Sequence, residues 1–484
     1  MDLLSKLSLG FHAALGARQL LALLCGCLLG LLAGQRRRLS PMSVLALLLP
    51  LVPAMDALSA LAMLAAVAYG SAWGQTLAHR PALGFRGRAQ FAPLLAGAAG
   101  AVGTLALALF AQPLAALAFD LGAADDFALM VFVLVGATVL GPGSVLVSLA
   151  MAVLGLLVAQ LAQRAGAGGL FAAGLPQIGQ GVPLVPLMIG LFAGAELIDK
   201  RIPVDAANPP PMPAAGETPP VTELPRRSAA VASARGLLAG LVLGLLPGAG
   251  ARLAAALGRG VETRLRGDDE RARCGELASV AAGHAGSHTA FIPMLMLGAP
   301  INAVMALLFA AMAIKGEPSG PLLLTGQPQI FWGLCASMWV GCLVLTVLGH
   351  LRLIPGRERQ GPGHRWISAP LLVACCAGAA AGGPDAYPGF SVAVMGGAAL
   401  AGYVFRKLSC QAAPFALAFI LGPHMEGHLR HALQLSSGDW RVFLERPVAL
   451  SLLLITVALV LLSLLPFVRR VRERVFGQPW LADD

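Results

Sequence analysis

Apolar runs long enough to cross a bilayer recur from one end of this chain to the other, and they leave few folds open. About 20 consecutive apolar residues span the hydrocarbon core as an α-helix. Such runs occupy residues 18–34, 54–72, 91–118, 127–162, 182–198, 229–257, 275–312, 328–352, 369–404 and 447–468, with shorter ones at 41–52 and 411–424. The runs at 275–312 and 369–404 are long enough to be broken or doubled. Nothing between the runs reads as a large soluble domain. Of the 484 residues, 57% are hydrophobic and only 12% charged, against about 25% charged in soluble domains. The chain therefore reads as an all-α polytopic membrane protein of roughly 10–12 spans.

The net charge of +10 does not point to nucleic acid here, because the arginines cluster between apolar runs, as the positive-inside rule describes. Arg469, Arg470, Arg472 and Arg474 assign the C-terminal tail to the cytoplasm. The loops carrying Arg352 to Arg365 and Arg80 to Arg88 go to the same side, and Asp120, Asp125 and Asp126 to the outer side. Arg36 to Arg38 fit this scheme only if 41–52 is a half-helix. Glu196 and Glu426, near span ends, read as solvated. The eight cysteines lie mostly in or beside apolar runs without zinc spacing and read as small buried residues.

Glycines at 236, 240 and 244 share one helix face, where a neighbouring backbone can approach closely. They run into Pro247-Gly248-Ala249-Gly250, which cannot continue the helix. At membrane depth, broken backbone persists only where protein or a water-filled cavity satisfies it, so this is a candidate substrate or ion site. A second ladder at Gly26, Gly30 and Gly34 lacks the breaker and continues as Gln35-Arg36-Arg37-Arg38.

The hydrophobicity collapses into a Pro-rich linker at 201–228. It divides a first transmembrane repeat (1–200) from a second (229–468), followed by a tail (469–484). Two homologous repeats, inverted and carrying broken or re-entrant helices, are the expected architecture. No phosphate-binding loop, nucleophile elbow or His/Glu cluster with metal spacing occurs, so neither ATP-driven transport nor an enzyme is expected, and no cofactor.

Gly244-Leu245-Leu246-Pro247-Gly248-Ala249-Gly250-Ala251 resembles a signature of the large transmembrane subunit of the tripartite tricarboxylate transporters. Ile292-Pro293 through Gly298-Ala299-Pro300-Ile301-Asn302 resembles that family's Ile-Pro-Leu-x-x-Leu-Gly-Ile-Pro-Gly segment. Gly402-Tyr403, Ala413-Pro414, Leu421-Gly422-Pro423-His424-Met425-Glu426 and Ser437-Gly438-Asp439-Trp440 resemble its C-terminal blocks. The resemblance implies a gradient-driven importer of carboxylates in a bacterial inner membrane, coupled to Na+ or H+. It also implies a small four-helix membrane subunit and a periplasmic solute-binding protein as partners. Carried over position by position, it places Pro247, Gly248, Ala249 and Gly250 on the second-half loop, and Gly298, Pro300 and Asn302 on a re-entrant segment. Ser287, His288 and Ser71 complete the expected substrate or ion site. Unwound backbone offers N–H groups to a carboxylate and carbonyls to a cation; the alternative is that these glycines and prolines only kink and pack helices.

The chain also departs from the family. Gly34 to Pro41 replaces the first-half Pro-Gly-x-Gly loop with arginines. Tyr69-Gly70-Ser71 resembles the Tyr-Tyr-Gly block, but the Ile-Pro-Gly-Glu segment after it is missing. Gly283-His284-Ala285-Gly286-Ser287-His288 stands in place of an acidic, asparagine-rich stretch. His284 and His288 either replace lost ligands and titrate with a proton, or pack against a neighbouring helix. Arg252 either pairs with a substrate carboxylate or snorkels to the surface. A degenerate paralogue that no longer transports, kept for binding or assembly, is the competing functional reading.

Overall fold

The structure is a computed structural model, and it describes residues 3–35, 40–78, 91–166, 181–201, 225–248, 250–265, 268–351, 364–381 and 388–465. Residues 202–224 of the linker, the arginines 36–38, the first-half segment 79–90, Ala249 and the tail beyond 465 lie outside the described residues.

Among the described residues every regular element is helical. The first part of the chain forms α1 (Leu3–Ala14), α2 (Ala17–Gln35), α3 (Pro41–Leu48) with a 3₁₀ extension (Leu49–Ala54), α4 (Ala57–Ala78), α5 (Phe91–Phe119), α6 (Ala123–Val139) and α7 (Val145–Gly166). α8 (Leu184–Met188) passes through a π-helical turn (Ile189–Gly194) into α9 (Ala195–Arg201). Beyond the linker come α10 (Arg226–Leu243), α11 (Gly250–Leu265), α12 (Asp268–Thr289), α13 (Phe291–Leu297), α14 (Ala303–Ile314) and α15 (Pro321–Gly326). The chain closes with α16 (Pro328–His350), α17 (His364–Ala381), α18 (Pro388–Lys407), α19 (Ala412–Leu435), α20 (Val442–Glu445) and α21 (Pro447–Ser463).

Six of the described helices are long and apolar enough to cross a membrane, and four apolar stretches of 10–17 residues are shorter. Several single runs of the sequence are divided. The run 127–162 is α6 and α7, 275–312 is α12 to α14, and 369–404 is α17 and α18.

α4 is the hub. It is apolar on nearly all sides, and 89% of its most apolar window is buried, as expected of a helix enclosed by others. At the periphery, Leu146, Val153, Leu157 and Leu161 of α7 are each more than half exposed. Spaced seven and four residues apart, they form one stripe, suited to lipid rather than water.

The glycine ladders set the helix spacing. Gly26, Gly30 and Gly34 of α2 lie against Met63, Ala66, Val67, Ser71 and Gly74 of α4; a Cβ on Gly30 would stand 2.7 Å from the Val67 carbonyl oxygen. Gly236, Gly240 and Gly244 of α10 lie in the same way against Ala278, Ala282, Ala285, Gly286 and Thr289 of α12. In both pairs residue numbers rise together, so the helices run parallel. The segments between them, α3 with its 3₁₀ extension and α11, carry the chain back. Each ladder thus packs on the next helix but one. Without side chains in the way the backbones meet directly, the contact that drives association where lipid removes the hydrophobic effect.

Two buried carboxylates hold helix ends. Asp125 is 3% exposed, accepts from Arg446 Nη1 at 2.6 Å and from the backbone N–H groups of Ala449 (2.9 Å) and Gly122 (3.0 Å), and so ties α6 to the start of α21. Glu196 departs from the solvated role its sequence position suggested. It is 5% exposed, and its Oε2 accepts from the Ser40 N–H at 3.0 Å and the Ser43 hydroxyl at 2.6 Å. An acid there satisfies a free donor at the start of α3 and complements the helix dipole. Glu426 is half-buried and pairs with Arg430 one turn on.

Replacing Gly30 or Gly240 by Leu is expected to lower the melting temperature of the detergent-solubilised protein by several degrees. Gly397→Ala, on α18 with no atom within 4 Å of the added Cβ, is expected to leave it unchanged or raise it slightly. Size-exclusion melting curves of the three variants make the comparison.

Candidate functional site: converging chain breaks beside a cavity

Three interruptions of helical backbone come together inside the bundle. The first follows α10, where Pro247 ends the helical geometry and Gly248 takes a φ of +90°, open to glycine at little cost. The second follows α13. Gly298 closes that helix in the left-handed conformation at φ +66°, the N–H groups of Gly298 and Ala299 both return to the Pro293 carbonyl, and Asn302 opens α14 as its N-cap, its side chain accepting from the Met305 N–H at 3.0 Å. The third is Gly141-Pro142-Gly143-Ser144 between α6 and α7, with Gly143 at φ +82°.

The contacts between them are direct. The Gly248 N–H donates to the Ile301 carbonyl at 2.7 Å. A Cβ on Gly248 would stand 3.0 Å from the Ala137 carbonyl oxygen and 3.2 Å from the Gly141 nitrogen, and the Pro247 ring lies on Gly136. Each break therefore helps to enclose the others. α11 and α14 begin beside this junction, and α6, α10 and α13 end beside it. Helix N-termini carry partial positive charge and C-termini partial negative charge, so helix ends of both signs lie near one another here, with the Gly248 N–H bonded to Ile301, those of Gly298 and Ala299 to Pro293, and that of Met305 to Asn302.

Of the residues singled out in the sequence, Pro247, Gly248, Gly298, Pro300 and Asn302 lie on this junction, and Gly250 opens α11 beside it. Ser71, Ser287 and His288 have other surroundings. The Ser71 hydroxyl donates to the Ala68 carbonyl (2.8 Å) and that of Ser287 to the His284 carbonyl (2.9 Å), each within its own helix. His288 is fully buried, with Nδ1 2.9 Å from Thr104 Oγ1, Nε2 3.6 Å from Cys342 Sγ and its ring stacked on Tyr69 at 4.9 Å. His284 meets Thr76 Oγ1 at 3.0 Å and the edge of Trp73. The pair sits at the interface of α12 with α4, α5 and α16. Among the described residues no group of three His, Cys, Asp or Glu side chains could hold a metal ion.

The break at 141–144 was missed in the sequence because 127–162 reads as one apolar run. Its signals were there: a run of that length is too long for one span, and it contains Gly-Pro-Gly.

A cavity of about 300 Å³ lies between α7, residues 181–184, α14 and α19. α14 connects it to the junction, since Asn302 caps the helix and Phe309 lines the cavity, about 10 Å further on at 1.5 Å per residue. α19 contributes Phe419 and Ile420, and Pro423 and His424 from one of the C-terminal blocks noted above.

Gly248→Ala, which forces a β-carbon into a left-handed backbone position, is expected to cost about 1–3 kcal/mol and to lower the melting temperature. Ser287→Ala, whose hydroxyl bonds only within its own helix, is expected to leave it unchanged. Thermal denaturation of both variants in one detergent tests the pair.

Residues 84–417 match the tripartite tricarboxylate transporter TctA family. Among curated proteins, the chain is 33% identical over 509 aligned positions to the "Uncharacterized 52.8 kDa protein in TAR-I ttuC' 3'region" of Agrobacterium vitis, covering 98% of this chain and 99% of that protein. It is 36% identical over 241 positions to the "Uncharacterized protein in TAR-II ttuC' 3'region" of the same organism, covering 49% of this chain and 98% of that protein. No solved structure matches. A multi-pass helical bundle with broken helices agrees with this assignment, and the chain belongs to the TctA family of tripartite tricarboxylate transporters, as a membrane component of a transporter.

Proposed function

We propose that this chain is the large transmembrane subunit of a gradient-driven importer of carboxylates. In this reading a periplasmic solute-binding protein delivers the substrate, a small four-helix membrane subunit completes the assembly, and the complex sits in a bacterial inner membrane. The convergence of the three chain breaks carries the proposal. Backbone N–H groups at the starts of α11 and α14 hold the substrate carboxylate. Carbonyls at the ends of α6, α10 and α13, with those of Ala299 to Ile301, hold a sodium ion or face a proton-carrying water. The shared boundary of the breaks supplies the mechanical part: a shift of α10 and α11 against α13 and α14 changes which side can reach the junction, without unfolding either helix pair.

A second reading has its own observation. In the first half, where the family carries a Pro-Gly-x-Gly loop, this chain has arginines, and the start of α3 is already occupied by the carboxylate of Glu196. A first half closed by its own acid fits a subunit that binds or assembles without transporting.

Uptake of radiolabelled citrate into proteoliposomes containing all three components separates the two. The importer reading expects accumulation that depends on an imposed sodium or proton gradient and falls at least tenfold in Gly248→Val. Absence of gradient-dependent uptake of citrate and of other di- and monocarboxylates, with the binding protein loaded, contradicts it.

A further inference from the structure

The described lining of the cavity beside the junction offers little to a molecule with three charges. Of the described side chains lining it, His424 is the one polar group; the others include Ala159, Ala310, Phe309, Phe419 and Ile420. An ionised carboxylate removed from water needs a charge or several hydrogen-bond donors as partner, and without them the penalty is several kcal/mol per ion. One imidazole can serve one such group. Two further carboxylates would face alanine, leucine and phenylalanine.

Size and shape narrow the ligand further. An engineered apolar cavity of about 150 Å³ binds benzene, and drug-sized ligand pockets begin at about 300 Å³. A volume of about 300 Å³ therefore suits a single ring with a substituent. The walls are aromatic on two sides. Phe309 comes from α14 and Phe419 from α19, and the His424 ring meets the Phe309 ring edge-on at 4.9 Å, an arrangement that a third ring can extend. Alanines at 159, 310 and 313 leave the floor open.

We propose that this cavity is a binding site for a single-ring aromatic molecule carrying one hydrogen-bonding substituent, an aromatic monocarboxylic acid being the best match. The ring lies between Phe309 and Phe419 over the alanines, and the substituent bonds to His424. The site is separate from the backbone junction and does not depend on transport. Binding is measured on this chain alone, so failure of the uptake experiment leaves the assignment standing, and the reverse holds too.

The test is equilibrium binding of radiolabelled benzoate to the purified full-length protein in lipid nanodiscs. Saturable one-to-one binding is expected, displaced by toluic acid and not by citrate. Ala310→Phe, which fills the cavity, is expected to abolish it, and Ala313→Leu to weaken it should the first variant fold poorly. His424→Leu keeps the volume and removes the polar partner; it is expected to weaken benzoate binding about tenfold or more and to spare toluene. No saturable binding, displacement by citrate, or equal affinity in Ala310→Phe and Ala313→Leu overturns the proposal. So does native mass spectrometry showing a lipid retained by the wild type and lost from Ala310→Phe, because an acyl chain is then the occupant.

Discussion

A peptide group inside a bilayer has no water to turn to, and this constraint organises the bundle. Wherever a proline or a left-handed glycine interrupts a helix, the freed N–H and C=O groups need partners from elsewhere in the protein. Here the partner of one break is another break. Gly248, past the end of α10, bonds to Ile301, on the extended segment before α14, and Gly141 and Ala137 close over Gly248 from the third side. Isolated, each interruption would be costly. Together they form a common polar junction within an otherwise apolar interior.

The rest of the architecture holds this junction in position. The two glycine ladders bring α2 onto α4 and α10 onto α12 at backbone contact. Gly286 of α12 then faces Ala251 at the start of α11, so the second ladder fixes where the breaker is held. Polar side chains in the interior serve the same end. Asp125 anchors α21 to α6, whose far end forms part of the junction. Arg235 reaches the buried Glu262 at 3.1 Å and links α10 to α11. Lys315 Nζ donates to the Met55 carbonyl at 2.7 Å, joining α14 to the exposed carbonyls at the end of the 3₁₀ segment. In each case a charged group meets an opposite charge or a backbone end.

Much of the fold was legible in the sequence because its determinants are local. Apolar run length gave the helices, and four-residue glycine spacing gave both packing faces. Pro247-Gly248 and Gly298-Ala299-Pro300 gave two of the three breaks. What stayed hidden depends on distant partners. The companion of Glu196 is Ser40, 156 residues away, so a carboxylate near a span end looked solvated. The setting of His288 comes from Tyr69, Thr104 and Cys342 on three other helices, and no spacing within Gly283 to His288 distinguishes an interface histidine from a ligand. Gly141 to Ser144 escaped because alanine, valine and leucine continue on both sides and the run carries no charge to mark its division.

The central claim is that separate chain breaks share one junction, and cysteine cross-linking tests it most directly. In a background with the eight native cysteines replaced, Gly136→Cys and Pro247→Cys are combined; a Cβ on Gly136 would stand 3.2 Å from the Pro247 Cβ, close to the separation of about 3.5–4.5 Å found in disulfides. The account predicts rapid, near-complete disulfide formation in native membranes, comparable to that of the pair Gly26→Cys and Ala66→Cys across the first ladder. If the ladder pair cross-links and the 136–247 pair does not, the breaks do not meet and the proposed site does not exist.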